Sequence, residues 1–200
     1  MNLRISNLSI LLLLMTLASP VSRAQTHATL LDDSRLWIDG STSVNTFTCE
    51  AGDLAGDALF YEADSLGAGR SDAEVAIPVS EFDCGKARMN RDLHEALKAE
   101  DHPLIRFRLT DLMPAEDAGN RKFRVRGMMD IAGESRSVQL DLDGERLSDN
   151  TWRATGGVAL RMSDFGIDPP TALLGLIQAH DDISVRFDLR ALTYPTIYAN

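Results

Sequence analysis

The sequence predicts an all-β fold of antiparallel strands with one or two short helices, and three observations carry that prediction. Apolar and polar residues alternate in run after run, the period of strands buried on one face. Clusters of turn-forming residues separate the runs. The clearest break in the two-residue period has the period of a helix instead. The 200 residues, 44% hydrophobic and 25% charged, hold apolar surface for one sizeable core and lack the composition of a disordered chain.

Taken in order, Leu36 to Gly40, Ser43 to Cys49 and Gly56 to Glu62 alternate weakly and read as three strands. Ala73, Val75, Ile77 and Val79 form the inward face of a fourth. Met89, Leu93, Ala96 and Leu97 then fall at i, i+4, i+7 and i+8, one helical face, which places a helix over residues 88–100. Pro103 ends it, because the residue before a proline is pushed toward extended geometry. From Pro103 the strands alternate cleanly. Ile105, Phe107 and Leu109 face one way against Arg106 and Arg108. Phe123, Val125, Gly127, Met129 and Ile131 oppose Arg124, Arg126 and Asp130, and Val138, Leu140 and Leu142 oppose Gln139, Asp141 and Asp143. Trp152, Ala154, Gly156, Val158, Leu160 and Met162 share the next face, and Ile183, Val185, Phe187 and Leu189 the last. Turns are expected at Gly133-Glu134-Ser135, Ser148-Asp149-Asn150 and Asp117 to Asn120. A second short helix is expected over Pro170 to Ala179, where paired prolines precede an apolar stretch without alternation.

About eight or nine such strands form either a sandwich or a closed barrel. A barrel of eight strands encloses a space that side chains just fill or that holds one small ligand. Small inward residues, Gly127, Ala154 and Gly156 among them, favour room inside; the alternative is a solid barrel in which glycines relieve strand coiling. The walls of such a cavity would be Phe107, Phe123, Val125, Gly127, Met129, Leu140, Ala154, Gly156, Val158, Leu160, Val185 and Phe187.

The N-terminus bears on location. Arg4 precedes the apolar run Ile10 to Leu17, followed by Pro20 and Ser22-Arg23-Ala24, the pattern of a secretory signal peptide cleaved after Ala24. The run is too short for a spanning helix, which needs ~20 apolar residues. Residues 1–24 are thus expected to be removed, leaving residues 25–200 as a single domain in the periplasm or outside the cell, with no stable membrane insertion. In that compartment Cys49 and Cys84, the only cysteines, are expected to be bridged. The formal charge of -10 falls to -12 once Arg4 and Arg23 are gone, a field that repels phosphate backbones, so no nucleic-acid partner is expected.

Catalytic signatures are missing. The chain has no Gly-x-Ser-x-Gly elbow and no His-Glu-x-x-His, and its four histidines are scattered along the sequence, so neither catalysis nor a metal is expected. Asp164, Asp168, Asp181 and Asp182 read as turn and cap residues.

Four motifs in order carry a resemblance: Asn90-Arg91-Asp92-Leu93-His94; His102-Pro103-Leu104-Ile105-Arg106-Phe107; the hairpin Val125 to Val138, with Gly127, Ile131 and Gly133 at its marker positions; and Ser163-Asp164-Phe165-Gly166-Ile167. Their order and spacing, from Leu36 to Leu192, resemble the YceI-like family. That resemblance implies a lipocalin-like eight-stranded barrel with its helices near the mouth, binding a long apolar chain such as a polyisoprenoid or a fatty acid derivative, without a cofactor and as a non-catalytic carrier or buffer. The matched Arg91, Asp92 and His94 become candidates for a polar rim, against the plainer reading of a solvated helix face. Residues 169–179 become either a lid or a plug. The chain departs from the family pattern in its short N-terminal hairpin, Ser43 to Phe60, and in its cysteine pair. The rival reading is an envelope stress or interaction protein with a filled barrel, acting through its charged outer surface, above all Arg106, Arg108, Arg124, Arg126 and Arg186. The sequence fixes no oligomeric state.

Overall fold

In the computed structural model, which describes residues 25–61, 71–115, 121–172 and 176–196, the alternating runs hydrogen-bond edge to edge into one antiparallel sheet that returns on itself. The elements are β1 (Gln25–Leu30), β2 (Arg35–Thr42), β3 (Thr46–Ala51), β4 (Ala55–Tyr61), β5 (Ser71–Pro78), α1 (Ala87–Ala96), β6 (Leu104–Pro114), β7 (Lys122–Ile131), β8 (Glu134–Arg146), β9 (Thr151–Arg161), β10 (Thr171–Ala172) and β11 (Ile177–Thr196). The order round the wall is β1-β4-β5-β6-β7-β8-β9-β11, and β1 pairs with β11 again, His27 opposite Tyr194 and Leu30 opposite Ala191. The fold is a closed eight-stranded antiparallel barrel, which decides between the sandwich and the barrel.

β11 is long enough to serve two partners on one edge. Its C-terminal half pairs with β1 and its N-terminal half with β2, so β1 and β2 run as one broken strand. Ser34 stitches the break. The Arg190 N–H donates to its hydroxyl oxygen (3.0 Å), the hydroxyl donates to the Arg190 carbonyl (3.2 Å), and the residue is fully buried. This replaces the ladder bonds that the turn at Asp32-Asp33 removes.

β3 extends from β2 but does not reach β5. The gap in the wall is covered by the segment that carries α1, and two links hold that seam. Glu50 and Asp83 exchange backbone hydrogen bonds of 2.9 and 2.8 Å, and Cys49 and Cys84 form the expected disulfide, S–S 2.01 Å.

The structure differs from the sequence reading in four places. β1 is not among the strands read from the sequence; its residues, Gln25-Thr-His-Ala-Thr-Leu, alternate weakly, and pairing on both edges makes it a strand. The helix expected over Pro170 to Ala179 is absent at both ends of that stretch. Thr171 and Ala172 pair with Gln178 and Ile177, the Ser43 N–H donates to the Gln178 carbonyl, and inward Ile177 and Ala179 begin the alternation of β11. Residues 173–175 lie outside the described residues. The β7–β8 turn is one residue earlier than expected: Ala132 and Gly133 both take positive φ, 52° and 87°, the geometry that two-residue hairpins need for the natural strand twist. α1 spans Ala87–Ala96 and its C-terminal turn closes on left-handed Lys98, φ 53°, short of residue 100. The turn at Ser148 forms as expected, its hydroxyl accepting from the N–H groups of Asn150 and Thr151. The turn expected at Asp117 to Asn120 and the signal peptide at residues 1–24 fall outside the described residues.

Candidate ligand cavity

Inward residues at the α1 end of the barrel do not meet, and they enclose a cavity of ≈ 440 Å³. Leu36 and Ile38 of β2, Ile77 of β5, Ile105 of β6, Met129 and Ile131 of β7, Leu160 of β9 and Ile183 and Val185 of β11 form its walls. Phe82, Phe165 and Ile167 close the side under the two short 3-10 turns that follow β5 and β9, Phe82 and Phe165 each at 2% exposure. α1 supplies the remaining wall, because Met89, Leu93, Ala96 and Leu97 line the same space. The stripe that predicted a helix is therefore cavity surface.

Polar groups gather where the lining becomes exposed. The β2–β3 hairpin brings Thr42, Asn45, Thr46 and Thr48, and the start of α1 brings Lys86, Arg88 and Asp92. Arg88 and Asp92 form a loose ion pair, 3.7 Å, while the Lys86 side chain has no partner among the described residues. Thr48 donates to Asp39 (2.6 Å), whose carboxyl lies below the usual aspartate range because Arg186 donates to it and Thr48 adds a second bond.

Of the twelve residues expected from sequence to line a cavity, Met129, Leu160 and Val185 do so. The other nine, Phe107, Phe123, Val125, Gly127, Leu140, Ala154, Gly156, Val158 and Phe187, are not among its lining residues. The space at the glycines is taken. A Cβ on Gly127 would stand 2.3 Å from Phe107 Cζ, and one on Gly156 2.7 Å from Phe187 Cζ, so each glycine seats a phenylalanine ring from the neighbouring strand. Sequence reasoning passed over Leu36, Ile38 and the hairpin behind them; the signal was present in Ile105, Ile131 and Ile183, inward residues nearer the α1 end of strands it had already placed.

The rim candidates separate. Asp92 lines the cavity; Arg91 and His94 do not, and the His94 Nε2 is buried without a hydrogen-bond partner among the described residues. Arg161 pairs with Asp164 (2.9 Å), and Asp181 accepts from the Ser163 N–H and hydroxyl, which holds its carboxyl low; both aspartates serve turns. Among the described residues no three His, Cys, Asp or Glu side chains group to hold a metal, and no helix is long and apolar enough to cross a membrane. The outer arginines are matched by carboxylates: Arg106 by Glu74 (3.6 Å), Arg108 by Asp130 (2.7 Å), Arg124 by Asp141 (3.5 Å), Arg126 by Asp111 (3.9 Å) and Arg186 by Asp39 (2.5 Å). Each of these five positive charges thus has a carboxylate within 4 Å that compensates it locally.

The same architecture occurs in solved structures of low identity. The chain is similar to Burkholderia cenocepacia BcnA, with a TM-score of 0.60 at 17% identity over 84% of this chain and 95% of that one. It is similar to a polyisoprenoid binding domain from Saccharophagus degradans implicated in plant cell wall breakdown, with a TM-score of 0.63 at 15% identity over 84% and 98%. A Campylobacter jejuni YCEI protein matches with a TM-score of 0.50 at 17% identity over 72% and 82%. No sequence among curated proteins matches the chain. The model of the YceI-like domain matches residues 31–191, the barrel from the β1–β2 break almost to the end of β11, and the chain belongs to the YceI-like family.

Proposed function

We propose that this protein holds an apolar chain, a polyisoprenoid or a fatty acid derivative, in the cavity at the α1 end of its barrel, as a non-catalytic carrier or buffer in the periplasm or outside the cell. The observation that carries this reading is the cavity itself, ≈ 440 Å³ and walled by aliphatic side chains and phenylalanines. That volume lies in the range of roughly 300–1,000 Å³ typical of small-molecule sites. Each CH₂ moved from water into such a lining gains ~0.8 kcal/mol, so a chain is held without a polar anchor, less the cost of immobilising it. Likeness to a polyisoprenoid binding domain supports the chemical class, and the disulfide accords with an oxidising compartment. A polar head would remain at the mouth, beside Lys86, Arg88 and Asp92.

Native mass spectrometry of protein purified from an exporting host, followed by solvent extraction, tests the reading. A stoichiometric apolar molecule of defined mass is expected. Protein that arrives empty and then rejects both isoprenoid and acyl probes would overturn it.

A further inference from the structure

The cavity lining ends partway along five strands. Ile77, Ile105, Met129, Leu160 and Val185 line it; the next inward residues on those strands, Val75, Phe107, Gly127, Val158 and Phe187, do not. On two of those strands the first inward residue beyond the lining carries a ring. Phe107 of β6 leans over Gly127 of β7, and Phe187 of β11 lies over Gly156 of β9, directly opposite it in register. β6 and β11 are four places apart round an eight-stranded wall, so the rings enter from opposite sides. Both are half-buried, and Phe107 packs on the buried core.

We propose that Phe107 and Phe187 form a floor that sets the length of apolar chain the barrel accepts. This rests on the proposed binding of an apolar chain and names its specificity. A tail lengthens its contact with the walls only until its end meets the rings. Beyond that length, each added CH₂ remains at the mouth in water and contributes nothing. The glycines are part of the device, because a side chain at Gly127 or Gly156 would expel the ring from its seat: the backbone oxygens of Arg108 and Asp141 each stand 2.6 Å from the position of such a Cβ. The floor is therefore a layer of aromatic rings held by backbone geometry, and shortening a ring deepens the site without altering its mouth.

The test is a series of saturated fatty acids of increasing length, each competing with a fluorescent acyl probe for the extracted full-length mature protein. Affinity is expected to rise about fourfold per added CH₂ up to a break length and then to level. Phe187→Ala should move the break to longer acids. Phe107→Leu and Phe187→Leu, which keep most of the packing, should move it less in the same direction, and they decide the matter if the alanine variant does not fold. A break at the same length in the folded variants and the natural protein, or no break anywhere in the series, would overturn the floor while leaving chain binding intact. Failure of every acid, and of isoprenoid alcohols as well, would overturn the binding reading and the floor with it.

Discussion

Ser34 shows how much of the wall depends on a single hydroxyl. It donates to the carbonyl and accepts from the N–H of one residue, Arg190, at a point where β1 has turned away and β2 has not yet begun. Ser34→Ala leaves the shape nearly unchanged but strands a buried N–H, at a cost of about 1–3 kcal/mol. A urea titration should show the midpoint falling with the slope unchanged; an unshifted midpoint would mean that water or a strand shift satisfies Arg190. The hydroxyl was not legible in the sequence, because Asp33-Ser34 reads as an ordinary turn and nothing local announces that it faces β11, more than 150 positions away. Gly127 and Gly156 misled in the opposite direction. Alternation places them inward correctly, yet it does not say which cross-strand neighbour leans into the vacated space. Aromatic rings fill glycine gaps on adjacent strands, here as at Gly40, where Phe47 covers the missing Cβ.

At the scale of elements, strands that alternate strongly were legible from their own residues: β6, β7, β8, β9 and the central part of β11 need no tertiary argument. β1 and the two-residue β10 were not, since both owe their conformation to the edges they pair with. α1 was legible as a helix, though not as a cavity wall, because an apolar stripe looks the same against a packed core and against an empty space. Its attachment across the open seam generates a prediction. Cys49–Cys84 closes a separation of 35 residues, and the chain-entropy model gives such a loop roughly 3–4 kcal/mol. Beyond that global loss, the Glu50–Asp83 backbone pair also joins β3 to the segment leading to α1. Reduction, or Cys49→Ala with Cys84→Ala, should therefore raise amide exchange in β3 and α1 well above that in β7 and β8. Uniform acceleration across the barrel would show that the disulfide acts on the unfolded chain alone. A faster ligand release rate should accompany the local opening.

Over the whole molecule, the sequence carries a formal net charge of -10, and many outward arginines of the described residues are matched to carboxylates on neighbouring strands. Exposed pairs of this kind are individually worth little, with a median of about 0–1 kcal/mol, so the lattice contributes through number and through solubility. Its pH dependence has a definite sign. Asp188 is held below the ordinary aspartate range chiefly by the hydrogen bonds from Arg153, and Asp39 by those from Arg186 and Thr48. A carboxyl whose folded pKa is depressed binds fewer protons in the folded than in the unfolded chain across the interval between the two values. Stability contributed by the pair is thus complete above the unfolded aspartate pKa, about 4, and is lost as the pH falls through the lower folded value. Thermal melts should hold steady from neutral pH to about pH 5 and then decline steeply with further acid. Asp39→Asn and Asp188→Asn each remove one titrating partner, so each variant should melt lower than the natural protein at neutral pH and lose less on acidification. The two curves converge at the acid end, where the natural carboxyls are themselves protonated. Parallel curves, with the same acid loss in the variants, would place the acid sensitivity elsewhere in the barrel.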